Sequence, residues 1–194
     1  MGAVSGLAIA LVAGAIATVV GLSYAVRRHP SPCPSSLIVL LENRWMEKRA
    51  GSTTLLDRAC VGPGMRILDV GCGPGRLSLP AAVRVGPEGE VVALDIQPNM
   101  LQVLEARIAE RGVTNARTVL AGAGDGKVEH GAFDRVLLVT VLGEIPDRPR
   151  ALREAFDALK PGGLLSVTEV LPDPHYQSRA TVRRLAEQAG LEFV

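Results

Sequence analysis

The chain has 194 residues, 47% hydrophobic and 3% aromatic, with 21 basic and 20 acidic side chains and a net charge of +1. That length suits one domain plus an appendage, large enough to fold without disulfides or a structural metal. The charge balance excludes a basic face for nucleic acid, and so few aromatics exclude a stacking platform for single strands. Cys33, Cys60 and Cys72 are an odd set without CxxC spacing, which argues against a disulfide framework and against a metal site.

The chain opens on its most apolar stretch. Gly2 to Val26 contains no charged residue. As a helix rising ~1.5 Å per residue it is about 37 Å long, enough to cross a hydrocarbon core of roughly 30 Å. No Lys or Arg precedes the run, as a signal peptide would require. Arg27 and Arg28 follow it directly, which puts that end on the cytoplasmic side. Residues 1–28 are expected to form a single-pass transmembrane anchor with the rest of the chain in the cytoplasm, so membrane lipid is an expected partner. Gly2, Gly6, Ala10 and Gly14 form a small-residue stripe at four-residue spacing, a candidate homodimer face, although such residues are common in any membrane helix. Residues 29–50 are read as a linker and cap. Pro30, Pro32 and Pro34 stiffen the linker. Ser35 to Arg49 reads as a helix that either lies on headgroups or covers the active site.

Residues 51–194 then alternate helix and strand. Ser52–Ala59 reads as a short helix with Ser52 or Thr53 as N-cap, and Met65–Val70 as a buried strand. A helix from about Arg76 to Val85 follows, then a strand over Glu90–Ile96 and a helix over Asn99–Arg111. Ala116–Leu120 and Phe133–Val141 are the third and fourth strands, the latter with the unbroken apolar run 136–139 of a strand covered on both faces. Pro149–Leu159 is a helix, Lys160–Gly163 a turn, Leu164–Leu171 the fifth strand and Ser178–Ala189 a helix ended by Gly190. Leu191–Val194 reads as the start of a sixth strand. The alternation predicts an α/β fold with a doubly wound, mostly parallel sheet.

The chemistry is carried by Asp69-Val70-Gly71-Cys72-Gly73-Pro74-Gly75, between the first strand and its helix. Ligands of open α/β sheets bind there, and glycines let a ligand approach the backbone. Asp95 ends the second strand, about 20 residues on, where a carboxylate can accept hydrogen bonds from both hydroxyls of a ribose. Two features separate this loop from a dinucleotide site. Its spacing is GxGxG rather than GxGxxG, and Asp69 would repel a pyrophosphate but favours a cationic ligand.

With these residues in place, ILDVGCGPG, VVALDIQPNML, FDRVLLVTVL and LKPGGLLSVTE, in that order, resemble the class I (Rossmann-like) S-adenosylmethionine (SAM) dependent methyltransferases, from about residue 50 onward. The resemblance implies SAM as cofactor and S-adenosylhomocysteine as product. It implies that Gly71, Cys72, Gly73 and Gly75 lie along the methionine part of SAM and that Asp69 serves its ammonium end. It also implies that Asp95 holds the ribose, that Ile96 packs on the adenine, and that Gly122, Ala123 and Thr140 complete the pocket. The sequence departs from the family where an acid shortly after the third strand usually meets the adenine amine. That position falls near Ala123, so either backbone groups replace it or Asp125 reaches back. The family's sheet also carries a sixth and a seventh strand, which this chain is too short to make.

The motif identifies the methyl donor but not the acceptor. Acceptor-side candidates follow the fourth and fifth strands: Glu144, His175 and Tyr176 as catalytic residues, with Thr140, Glu169 and Asp173 nearby. A membrane-held enzyme suggests a membrane-associated or hydrophobic acceptor: a phospholipid headgroup amine, a quinone or a thiol. Two alternatives stand beside this one: a non-catalytic membrane subunit of the same fold, and an NAD(P)-dependent oxidoreductase.

Overall fold

The computed structural model describes residue 32, residues 51–171 and residues 173–194. The expected anchor over 1–28, its Gly2/Gly6/Ala10/Gly14 face and the helix over 35–49 lie outside the described residues. Among the described residues no helix is long and apolar enough to cross a membrane.

Five parallel strands form one sheet: β1 (Arg66–Val70), β2 (Glu90–Asp95), β3 (Ala116–Leu120), β4 (Phe133–Val139) and β5 (Leu159–Thr168). Their spatial order is β3-β2-β1-β4-β5. The chain winds outward from β1 in one direction and then, from β4, in the other. The carboxyl ends of β1 and β4 therefore flank the switch point where doubly wound sheets leave a crevice.

The sequence pattern explains the two layers. Side chains alternate across a strand. Leu68 and Val70 of β1 join Val92, Leu94, Val136 and Leu138 on one face, under α4 (Arg148–Ala158) and α5 (Arg179–Gln188). Ile67, Val91 and Leu137 point to the other face, where α1 (Ser52–Arg58) and α2 (Ser78–Val85) cover them. Leu101 and Leu104 of α3 (Pro98–Glu110) extend that layer over Ala93 and Cys72. Gly75 makes this packing possible, because a Cβ there would overlap Leu104 and its φ is +88°.

Several boundaries differ from the sequence reading, each for a local reason. α1 is capped by Gly51, with no side-chain cap from Ser52 or Thr53. α2 begins at Ser78 rather than near Arg76, because the glycine loop runs on as a turn. β4 stops at Val139, since Thr140 has φ +55° and cannot continue a strand. β5 starts at Leu159, one residue after α4, and the expected turn over Lys160–Gly163 survives inside it as a bulge. Phe133 pairs with Leu159, and the next aligned pair is Arg135 with Leu164. Residues 191–194 form no strand, so the expected start of a sixth strand is not there.

At the amino ends of the strands, polar side chains lock the sheet. Asp134 accepts hydrogen bonds from the Arg66 N–H and from Lys160 Nζ, both at 2.8 Å. Partial burial works against its ionisation, but these donors hold the carboxyl below its usual range. Arg66 and Arg117 each bridge Glu90 and Glu129 across the strand ends.

Candidate active site

The carboxyl ends of the strands surround a cavity of about 370 Å³. Every strand from β1 to β4 contributes a terminal residue or the loop that follows. Gly71 and Gly73 come from the loop after β1, and Asp95, Ile96 and Gln97 from the end of β2. Ala121 to Asp125 follow β3, and Thr140, Val141 and Glu144 follow β4.

The glycine loop is held in shape by Asp95. Its Oδ2 accepts from the Gly73 N–H at 2.8 Å and its Oδ1 from the Gln97 N–H at 2.8 Å. The carboxylate is 6% exposed. One side chain thus ties the first loop to the end of β2 and stands in the cavity wall, where a second lone pair on each oxygen can meet a ligand hydroxyl. Gly73 has φ +52° and nothing within 4 Å of where a Cβ would stand, so it faces open cavity. Gly71 is different: a Cβ there would overlap Val141. Glycine at 71 lets the loop after β4 approach, and glycine at 73 leaves room for a ligand.

Asp69 stands behind this loop. It is 2% exposed and accepts from Ser78 Oγ at 2.6 Å. Burial pushes its carboxyl up to about 6, against the pull of Ser78 and Arg76 and with a further push from Asp95. A buried acid this close to neutral chemistry is poised to ionise when a cation arrives. Cys72 is also buried, and burial raises its thiol well above the ordinary value, so it is an inert packing residue.

Of the residues nominated from sequence for the cofactor, Gly71, Gly73, Asp95, Ile96, Gly122, Ala123 and Thr140 meet in the cavity wall. Asp69, Cys72 and Gly75 do not line it; they shape the loop from behind. Ile96 is 56% exposed and apolar, a surface suited to a flat ring. Asp125 lies in the cavity wall, and its Oδ2 accepts from the Gly122 N–H at 2.8 Å. The carboxylate and the backbone it braces both stand in the wall, so the two alternatives for the adenine amine share one place.

Among the nominated acceptor-side residues, Glu144 lines the cavity, whereas His175 and Tyr176 do not. His175 is 8% exposed and packs beneath the wall: its carbonyl would overlap any Cβ at Gly143. Sequence reasoning missed Met100, Ile145, Pro146, Asp147 and Arg150 as lining residues. The turn Leu142–Glu144 and the start of α4 place the last four there, and nothing in their side chains marks a ligand. Pro32, from the proline-rich linker, is in the wall as well.

A parallel sheet in this order, a glycine loop after β1 and an acid at the end of β2 define the nucleoside-binding half of a class I SAM-dependent methyltransferase. Residues 62–189 match the family described as "Methyltransferase domain", and the chain belongs to it. Nocamycin O-methyltransferase from Saccharothrix syringae is 38% identical over 120 residues, 62% of this chain and 43% of that protein. The ubiquinone/menaquinone biosynthesis C-methyltransferase UbiE from Idiomarina loihiensis is 36% identical over 115 residues, 59% of this chain and 46% of that protein. The chain thus spans less than half the length of these relatives. Among solved structures, a SAM-dependent methyltransferase from Aquifex aeolicus superposes with a TM-score of 0.76 at 21% identity, covering 82% of this chain and 89% of that one. That likeness is one of fold.

Proposed function

We propose that the protein is a membrane-anchored, SAM-dependent methyltransferase whose acceptor is a membrane-associated or hydrophobic small molecule. The observation that carries the donor half is Asp95, fixed by the Gly73 and Gln97 N–H groups in the wall of the cavity. It offers the paired acceptor that a ribose needs, while Gly73 leaves space beside it. A sulfonium methyl group already has a good leaving group, so the protein supplies alignment for in-line attack and a dry pocket. Asp69 behind the loop adds negative charge for a cationic ligand, and Ile96 an apolar bed for adenine.

Two relatives, one named for O-methylation and one for C-methylation in ubiquinone/menaquinone biosynthesis, support an apolar acceptor of the quinone kind. The wall supports the same reading, with Val139, Val141 and Ile145 on the side away from Asp95's strand. Pro32 supports the link to the membrane. It is six residue steps from Val26, the last residue of the apolar segment, so at ~3.5 Å per step the cavity wall at Pro32 lies within about 21 Å of that segment's end.

Calorimetric titration of the detergent-solubilised chain with S-adenosylhomocysteine, with NADH as control, tests the donor half. Micromolar binding of the first alone supports it. Binding of NADH alone replaces it with the oxidoreductase reading, and binding of neither leaves a scaffold of the same fold.

A further inference from the structure

Beside the cavity, among the described residues, two side-chain polar atoms are shut away from solvent with no hydrogen-bond partner: Glu169 Oε1 and His175 Nδ1. Buried polar atoms are nearly always paired, and the exceptions ask for a reason. These two belong to one small assembly. The Gln177 N–H donates to the other Glu169 oxygen at 3.3 Å, and Gln177 Nε2 donates to the His175 carbonyl at 2.8 Å. The His175 N–H donates to Asp173 Oδ1 at 2.7 Å, which fixes the loop. Gln177 thus ties the acid to the loop that carries the imidazole.

The assembly abuts the cavity at two points. The Thr140 N–H donates to the Thr168 carbonyl at 2.7 Å, so Glu169 is the next residue beyond a direct tie to a wall residue. Gly143 touches the His175 backbone so closely that no side chain fits between them, and its neighbour Glu144 lines the cavity. Thr140 is also held at φ +55°, a conformation that costs a threonine energy and that gathers at functional sites.

We propose that Glu169 and His175 form the acceptor-binding pair, taking a hydroxyl on an apolar, phenol-like acceptor. The idea rests on the methyltransferase reading above. A hydroxyl is donor and acceptor at once, so one such group satisfies both orphaned atoms: it donates to the Glu169 carboxylate and accepts from His175 Nδ1–H. With the proton on His175 Nδ1, an ammonium, which can only donate, leaves that N–H unpaired, and a thiol is a weak partner for both groups. In the transfer, a lone pair of the hydroxyl oxygen forms the C–O bond to the methyl carbon. The C–S bond breaks with its electron pair going to sulfur, and the O–H proton passes to Glu169. The charged groups facing Glu169 are Asp173 on its own loop and Arg148 from α4. Burial, with Asp173, raises its carboxyl to about 7 against the pull of Gln177 and Arg148, which is the range a general base requires. Because both atoms are covered, the acceptor reaches them by lifting residues 173–177 off Gly143, a motion typical of active-site loops.

The test titrates the full chain, saturated with S-adenosylhomocysteine, with 1-naphthol and with 1-methoxynaphthalene, which lacks the donor. The wild-type chain should bind the naphthol at least tenfold more tightly than the ether. Glu169→Gln and His175→Phe should each remove that preference and leave S-adenosylhomocysteine affinity unchanged, which also reports that they fold. Should either variant fail to bind S-adenosylhomocysteine, His175→Gln and Glu169→Asp take its place. Normal S-adenosylhomocysteine binding with no naphthol binding, with equal binding of the two naphthalenes, or with a preference that survives both substitutions, overturns the proposal alone. Loss of S-adenosylhomocysteine binding in the wild-type chain overturns the cofactor reading and this proposal with it.

Discussion

Replacing Asp95 with alanine probes the site at its centre. The carboxylate satisfies two backbone N–H groups, those of Gly73 and Gln97, each at 2.8 Å. Orphaning a buried donor costs ~1–3 kcal/mol. Both donors border the cavity, where water can replace part of the loss, so Asp95→Ala should destabilise the fold by about 2–3 kcal/mol. For a domain of this size that is a fall of roughly 5–10 °C in Tm. The ligand loses more. Two charge-assisted hydrogen bonds to ribose hydroxyls are worth ~1.5–3 kcal/mol each, so the loss approaches ~3–5 kcal/mol, or about 10²- to several-thousand-fold in Kd. Calorimetry with S-adenosylhomocysteine, paired with thermal unfolding of the same samples, separates the two effects. A variant that loses stability as expected yet binds within threefold of wild type would refute the ribose assignment and leave Asp95 a purely structural brace.

Alanine at Gly73 and at Gly71 should fail differently. Gly73→Ala meets no protein atom, so its fold loses only the ~1–2 kcal/mol of a left-handed alanine while its cofactor affinity drops at least tenfold; Gly71→Ala collides with Val141 and should lose more stability. Parallel thermal melts and binding titrations decide this, and equal affinity of Gly73→Ala and wild type would show that the space belongs to no ligand. Asp69 makes cofactor binding pH-dependent. Its carboxyl is raised from 3.8 to about 6, so the folded chain keeps this proton where the unfolded chain has lost it. Its contribution to stability is therefore full below about pH 4 and lost as pH rises through about 6. The ammonium group that S-adenosylhomocysteine shares with SAM favours the ionised form, so S-adenosylhomocysteine affinity should fall as pH drops from 7 to 5, with proton release visible in buffers of different ionisation enthalpy; Asp69→Asn should flatten both. Gly143→Ala should push the His175 loop off the wall. The expected signature is unchanged cofactor affinity with altered protease sensitivity at residues 173–177, and a variant indistinguishable from wild type would mean that the close contact is not obligatory.

The sequence was most readable where a residue's role is set by backbone conformation or periodicity. Glycines at 71 and 73, an acid ending β2 and unbroken apolar runs in β4 each follow from a local requirement, and the sheet follows from their alternation. It was least readable where the answer depends on what a side chain meets across the fold. Gly75 looks like a third member of a ligand loop, but it is glycine because Leu104 leaves no room for a Cβ. Cys72 sits inside the motif and still points into the core. Lys160–Gly163 carries the signature of a turn, and only the pairing of β5 with β4 turns it into a bulge. His175 drew attention through its loop position, and nothing local could show that its Nδ1 is buried without a hydrogen-bond partner.

The two ends of the site differ in how they are built, and this bears on what can vary. The donor end consists of backbone at glycine positions and one carboxylate that braces it, so most substitutions there strain the fold as well as the ligand. The acceptor end consists of side chains on the turn after β4 and the loop after β5, joined by Gly143 and Gln177 and free of such strain apart from Thr140. Changes at Glu169, His175 or Gln177 can therefore alter what is recognised without moving the sheet. This is the arrangement expected of a fold that keeps one cofactor while its relatives are named for methylation at oxygen and at carbon. Selection for a new acceptor would act first on residues 169–177, and swapping that segment between family members is the shortest route to transferring acceptor preference.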